Sequence, residues 1–260
     1  MSIEPAIYKG EVLDQLLTKG NFRKGNDIFT TNDVYVGNYG DSNMYDQVFW
    51  LRLILNKATE TKQTKRIRRK CSNFSVAIKM AEITEEVETL YSEYLAIMKF
   101  DGYPSCKDCI PELNNEIAAF DTYMIEVRNS DQLIGVGFFD KGQKALMSVL
   151  HFYHPNYNKF SIGKYLMLLT KDFSEVHQMD FVYPGYFFIG LSKMDYKIFP
   201  QQDAIEVYLP VEEIWEPLSN YTKIQLEEYF FKKIMVIDFE NSEVNEQLDA
   251  TEDIETSQEF

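Results

Sequence analysis

Between residues 122 and 189 the apolar pattern runs from the period of strands to that of a helix and back, and this order leaves few folds open. Alternation at Tyr123, Ile125 and Val127 marks one strand, Asn129-Ser130-Asp131 turns the chain, and a second strand is expected at 132–139. The segment ALMSVLHFY predicts a third strand over 145–153. Ser161 then stands as the cap of a helix that carries Tyr165, Leu166, Leu169, Phe173 and Val176 on one side. Another strand is expected near 181–189, and AIEVYL at 204–209 reads as the last of the sheet. Three strands, a helix and a strand bury their apolar faces most economically as an α+β fold, a mixed sheet flanked by helices.

The rest of the chain is compatible with that core. EVLDQLLTK at 11–19 predicts a short amphipathic helix ended by Gly20, and IFTTNDVYV at 28–36 is strand-like. The clearest helix is 84–99, where Val87, Leu90, Tyr91, Tyr94, Leu95 and Met98 keep the helical period. Thr84 is its expected N-cap, with Glu85 and Glu86 in the first turn. Apolar residues make up 45% of the 260, with only 12 Gly and 8 Pro, which excludes a mainly disordered or fibrous chain. No uncharged apolar run approaches the roughly 20 residues that span a bilayer. The start, Met1-Ser2-Ile3-Glu4-Pro5, lacks the basic-then-apolar pattern of a signal peptide. Cys71, Cys106 and Cys109 are too few for a disulfide framework, and the lone Cys106–Cys109 pair has no second pair to complete a metal site. The expectation is a soluble, cytoplasmic protein with no membrane partner and no bound metal.

Charge is unevenly placed. The formal net charge is −15, and eight acids with no Lys or Arg fall between Glu240 and the end, the composition of a solvated, disordered tail. Lys57, Lys62, Lys65, Arg66, Arg68, Arg69 and Lys70 lie within fourteen residues that hold one acid, Glu60. Phosphate is the natural counter-charge for such a run, and a solvated basic loop is the alternative.

Three segments carry a resemblance. Residues 131–140 read DQLIGVGFFD, residues 147–165 read MSVLHFYHPNYNKFSIGKY, and residues 183–200 read YPGYFFIGLSKMDYKIFP. Together they resemble the carboxy-terminal domain of the arginyl- and leucyl-tRNA–protein transferases. That family shows an apolar strand ending in Asp, then a "Y-P-x-x-S-x-G-x-Y" run, then "G-Y-x-I" and "K-M-x-Y-K". The matching positions are Asp140; Tyr153, Pro155, Ser161, Gly163 and Tyr165; Gly185 and Tyr186; and Lys193, Met194, Tyr196 and Lys197. Lys65-Arg66-Ile67-Arg68-Arg69 and the helix at 90–99 sit where the family has a basic run and a "Y-x-x-Y" helix. The resemblance covers roughly residues 60–205. It departs in two places: residues 21–56 lack the family's amino-terminal cysteines, and Gly190-Leu191-Ser192 precedes Lys193 where the family carries a cysteine.

The resemblance implies a GNAT-like sheet, in which a helix amino terminus lies beside a splayed pair of strands. It divides the chain into a degenerate amino-terminal region (1–60), an aminoacyltransferase domain (61–239) and the acidic tail (240–260). It implies transfer of an amino acid from charged tRNA, the co-substrate, to the amino-terminal amine of a protein or peptide, with no cofactor. An acidic or oxidised-cysteine amino terminus is the acceptor the family implies. The tRNA ester is already activated, so proximity and oxyanion donors can supply most of the rate. Asp140 is then the expected group that holds or deprotonates the amine. Ser161 and the helix it begins face the ester or the terminal phosphate, and Gly163 and Tyr165 belong to the same run. Tyr153, Tyr157 and Tyr186 stack on the terminal adenine or orient its hydroxyl. His154, in place of the family's acid, is the pH-sensitive element. Lys193, Tyr196 and Lys197 hold the acceptor end, while Lys65, Arg66, Arg68 and Arg69 grip the acceptor stem. Taken singly, such tyrosines pack, such lysines lie on solvated faces, and Asp140 with Gly142 forms a turn. An acyl-CoA-dependent N-acetyltransferase and a non-catalytic tRNA- or peptide-binding descendant are the alternatives. The single glycine in Asn158–Tyr165 makes CoA the poorer donor.

Overall fold

The computed structural model describes residues 7–39, 42–98, 102–111, 113 and 118–234; the acidic tail from Glu240 lies outside the described residues. In chain order the elements are α1 (Gly10–Thr18), β1 (Phe22–Lys24), β2 (Asp27–Phe29), β3 (Asp33–Tyr39), β4 (Ser42–Ile54), α2 (Lys62–Cys71), β5 (Ser75–Met80) and α3 (Glu85–Leu95). There follow one helical turn, α4 (Cys106–Cys109), then β6 (Thr122–Asn129), β7 (Gln132–Lys141), β8 (Ala145–Tyr153), α5 (Ile162–Val176), β9 (Phe181–Phe188), β10 (Ile205–Leu209), β11 (Ile214–Pro217) and α6 (Lys223–Tyr229).

The main sheet has nine strands in the order β11-β10-β4-β9-β8-β7-β6-β5, with β3 paired to β4 beside that path. This is the mixed sheet flanked by helices that the sequence predicts. Its one parallel pair is β8 with β9, and it lasts three residues, Ala145 to Met147 against Phe181 to Tyr183. Beyond them the strands part, because each is held on its other side. β9 follows β4 from Ile54 opposite Phe181 to Val48 opposite Phe188. β8 follows β7 across a bulge, in which Phe139 faces Ser148 and Phe138 faces Leu150, leaving Val149 as the extra residue. The splayed pair of a GNAT-like core is therefore present.

Several sequence expectations change in the fold. The basic run is a helix, α2, started by a reciprocal capping box between Thr61 and Thr64. Residues 28–36 are divided between β2, which pairs with β1, and β3, which pairs with β4. β10 is not the last strand, since β11 folds back on it with Leu209 opposite Ile214. The stretch set apart as a small amino-terminal region supplies β4, an interior strand between β9 and β10. Thr84 does cap α3, accepting from the Val87 amide at 3.3 Å.

Strand alternation distributes the core over both faces. Ile67 and Cys71 of α2 and Leu166 and Leu168 of α5 pack with Ile125, Ile134 and Phe139. On the other face Val87, Leu90 and Tyr91 of α3 meet Met124, Val136, Phe138 and Phe152. Consecutive Phe138 and Phe139 serve opposite layers, as the pleat requires, and burying each contributes about 1.5–3 kcal/mol. No helix among the described residues is long and apolar enough to cross a membrane.

The β1–β2 hairpin is tied to this sheet by a buried ion pair. Arg23 Nη1 donates to Asp140 Oδ1 at 2.8 Å and to Thr122 Oγ1 at 2.9 Å, and Thr122 Oγ1 donates to the same carboxylate oxygen at 2.6 Å. Both charged side chains are almost wholly removed from solvent. Arg23→Met therefore leaves a buried carboxylate without its cation and is expected to cost about 3–5 kcal/mol in urea unfolding. Adding Asp140→Leu to that variant should restore most of the loss. A single variant as stable as the wild type would refute this view of the pair.

Candidate functional site

The divergence of β8 and β9 opens a cavity of about 690 Å³. Met147 and Ser148 of β8 and Pro184 to Tyr186 of β9 line its sides, and Tyr91 and Tyr94 of α3 and Trp50 of β4 also border it. Residues 22–25 and 29–31 line the cavity as well, so the amino-terminal stretch closes it. A second cavity of about 400 Å³ lies at the start of α5. Tyr94, His151 and Tyr196 border both cavities and form the wall where they meet.

The bulge at Val149 explains how β8 serves both. Leu150 and Phe152 pack on the α3 side. His151 and Tyr153 point to the α5 side, where β7 carries Gly135 and Gly137. A Cβ at Gly135 would lie 2.6 Å from Ile162, and one at Gly137 would lie 2.9 Å from the His151 ring, so glycine there is what lets α5 and the imidazole approach.

The smaller cavity is cationic. Arg66 and Lys70 of α2 face Ser161, Gly163 and Lys164 at the start of α5 across it. Ser161 occupies the N-cap position but makes no side-chain cap hydrogen bond; its backbone is left-handed, with φ 62° and ψ 46°. The expectation that its hydroxyl caps the helix is thereby corrected. A helix amino terminus with three cations around it is chemically a phosphate cradle. Tyr153 packs against Tyr94 with ring centres 5.4 Å apart, and a Cβ at Gly163 would come within 3.3 Å of its ring.

The wall and the larger cavity have a different chemistry. Burial and the nearby Lys197 charge push the His151 imidazole down to about 4, so it is neutral at pH 7, and its Nε2 has no hydrogen-bond partner. Lys197 comes from the helical turn Ser192–Ile198. Its ammonium lies 4.8 Å from the centre of the Tyr186 ring. It also lies against the backbone of Gly185, where φ is +99° and a Cβ would sit 2.7 Å from Nζ. Burial pushes Lys197 down to about 8.

The remaining expected residues fall as follows. Asp140 is 0% exposed and sits behind Arg23; Arg23, not Asp140, borders the larger cavity. Burial pushes the Asp140 carboxyl up while Arg23 opposes that shift, and Oδ2 has no hydrogen-bond partner. His154 borders neither cavity: its Nε2 lies 3.5 Å from Glu93 of α3, and its Nδ1 accepts from the Asn156 amide. Tyr157 bonds to Asn129 and Gln132, away from both cavities. Tyr165 is buried in the core. Arg68 is bound in a forked pair to Asp172 and also meets Glu60. Lys65 and Arg69 are exposed on α2 and border neither cavity. The Lys193 side chain lies outside the described residues, although its backbone belongs to the 192–198 turn. Among the described residues no group of three or more His, Cys, Asp or Glu is placed to hold a metal. Sequence reading assigned no site role to Arg23, Trp50 or Lys164; the contacts that place them are long-range and carry no local periodicity.

Residues 74–204 match the family model described as arginine-tRNA-protein transferase, C terminus. Similar proteins include the aspartate/glutamate leucyltransferase of Hahella chejuensis, 27% identical over 149 residues, with 56% of this chain and 63% of that protein covered. The protein of the same name from Saccharophagus degradans is 29% identical over 154 residues, with the same coverage of 56% and 63%. The chain thus spans less than two thirds of the length of these relatives. Among solved structures, the C-terminal domain of a lysylphosphatidylglycerol synthetase from Agrobacterium fabrum has a TM-score of 0.39 and 10% identity. It covers 53% of this chain and 45% of its own, a likeness too slight to bear on function.

Lys197 makes the site costly to the fold. A lysine whose folded value lies below its unfolded value of about 10.4 destabilises fully at pH 7, and the penalty fades as pH rises from about 8 to 10. Lys197→Met is therefore expected to raise the thermal midpoint at pH 7. The gain over wild type should shrink by pH 10, read by paired melting curves. A Met variant less stable at both pH values would show that the lysine is compensated in the fold.

Proposed function

The chain belongs to the arginine-tRNA-protein transferase family, and on that footing we propose that it moves an amino acid from charged tRNA to the amino-terminal amine of a protein or peptide. The observation that carries this reading is the pair of cavities meeting at Tyr94, His151 and Tyr196. One has the chemistry of a nucleic-acid terminus and the other that of an amino-acid residue. The 3′ end of tRNA enters the smaller cavity, with its terminal phosphates on Arg66, Lys70, Lys164 and the first amides of α5. Tyr153 and Tyr94 offer the terminal adenine a stacking surface. The ester carbonyl then lies at the shared wall.

The reaction needs little beyond placement. The neutral acceptor amine attacks the ester carbonyl, the bond to the ribose oxygen breaks, an amide forms, and the proton lost by the amine balances the one gained by the ribose hydroxyl. Holding amine and ester side by side removes the entropic cost of bringing them together. Leucine is favoured over arginine as the transferred residue. The larger cavity is bordered by Trp50, Tyr91, Tyr94 and Tyr186, and its Lys197 cation repels a guanidinium. The relatives named above are leucyltransferases. Asp140 acts by holding Arg23 at the cavity edge, not by meeting the amine.

Incubating the protein with tRNA charged with radiolabelled leucine or arginine, and with peptides beginning Asp, Glu, Lys or Arg, tests this directly. Label is expected to enter a peptide from leucyl-tRNA. Retention of tRNA without transfer to any peptide would indicate a binding protein instead, and neither retention nor transfer would remove tRNA from the account. Arg66→Glu should weaken tRNA binding and lower its log–log salt slope by about one.

A further inference from the structure

The path of the main sheet ends differently on its two sides. On one side lies β11, four residues closed by Pro217, which has no amide proton to offer a further strand. On the other lies β5, which among the described residues pairs only with β6. All six residues of β5, Ser75 to Met80, are exposed, and their register with β6 runs without a bulge. The strand contains no proline, and its one charge, Lys79, is drawn back to Glu126 of β6, Nζ to Oε1 at 2.8 Å. Among the described residues nothing covers this edge or keeps it single.

The direction of its unpaired groups follows from one hydrogen bond. Just beyond the strand, the Ala81 amide donates to the Thr122 carbonyl at 3.0 Å. Bonded pairs alternate in an antiparallel ladder, so Ser75, Ala77 and Lys79 bond toward β6. Val76, Ile78 and Met80 therefore turn their amides and carbonyls to the open edge. Their side chains share one face of the sheet, where Val76 and Ile78 are 37% exposed and Met80 57%. The open edge and the exposed apolar row belong to the same three residues.

We propose that β5 is a self-association surface, on which two copies of this chain pair β5 with β5 antiparallel about a two-fold axis at Ile78. In this register Ile78 faces the partner's Ile78 and Val76 faces the partner's Met80, so every outward amide and carbonyl is matched. The axis runs perpendicular to the sheet, and the two apolar rows join on one face. Neighbouring registers are poorer. Centring on Lys79 sets two ammonium groups face to face, and centring on Ala77 places Met80 opposite the partner's Phe74, outside the strand. With Ile78 on the axis, Lys79 falls opposite the partner's Ala77, whose neighbour on β6 is Glu126. The small methyl group leaves each ammonium open to an acid of either copy, so charges alternate across the seam. The proposal is independent of the transferase reading, since β5 borders neither cavity.

Sedimentation velocity of the full chain between about 1 and 200 µM tests it, since such pairing follows mass action. A dimer is expected to fill as concentration rises. Ile78→Lys sets two cations on the axis and should raise the dissociation constant at least about tenfold, with a circular dichroism spectrum like that of the wild type. Ile78→Cys tests the register without depending on that variant. Bonded pairs in such a ladder have Cα atoms about 5.5 Å apart, within the range that a disulfide bridges. Oxidised glutathione should link Ile78→Cys copies to each other, above the level set by the three native cysteines of the wild type. Val76→Cys alone should not link, and Val76→Cys combined with Met80→Cys should. A chain that stays monomeric throughout overturns the proposal. So does a dimer that Ile78→Lys leaves intact, or linking that is equal for Ile78→Cys and Val76→Cys.

Discussion

The short life of the parallel pairing between β8 and β9 is the constraint from which the site follows. Three residues of contact hold the two strands together at one end. After that β9 is bound to follow β4, and β8 is bound to follow β7 through a bulge. Their outer partners thus hold the two strands on diverging paths, and beyond Met147 and Tyr183 the inner edges no longer pair. Space opens inside a sheet, where backbone walls are rigid, and α5 starts beside it. Catalysis by placement needs such stiffness, because a cradle that gives way cannot hold two reactants in register.

The charges follow this geometry. Cations on α2 and α5 collect at the helix-start side, while on the other side Arg23 is paired with Asp140 and Lys197 stands against an aromatic ring. A net charge of −15 for the whole chain conceals both features. The side chains of Tyr94, His151 and Tyr196 stand between the two groups of cations. Lysine lines both cavities, so position and not residue type distinguishes them.

Legibility in the sequence tracked how local each determinant is. The order strand, strand, strand, helix, strand could be read because alternation and helical period are properties of neighbouring residues. Gly163, Ser161 and Arg66 could be singled out because they belong to short ordered motifs, and they do border one cavity. Arg23 could not, because nothing within ten residues of it announces that it pairs with Asp140, more than a hundred positions away. For the same reason Asp140 looked like an accessible strand-end acid. Arg68, one residue from Ile67 on α2, looked equivalent to Arg66, yet the two positions between them turn it toward Asp172 and Glu60. Composition identifies a basic run; the helix phase decides which of its members remain available.

The placement of β4 has a further consequence for how such a chain can change over time. The stretch recognisable by family, residues 74–204, begins twenty residues after β4 ends, yet that strand is what joins β9 to β10. The recognisable part is therefore not the autonomous part. A gene rearrangement that carried the matching segment into a new context would deliver only β5 to β9, with β9 as a raw edge where β4 should pair and no floor under Tyr186. Amino-terminal ornaments such as cysteines can be lost without touching hydrogen bonds between strands. The thirteen-residue strand itself cannot, and it anchors the front of the chain to whatever the back of it evolves to do.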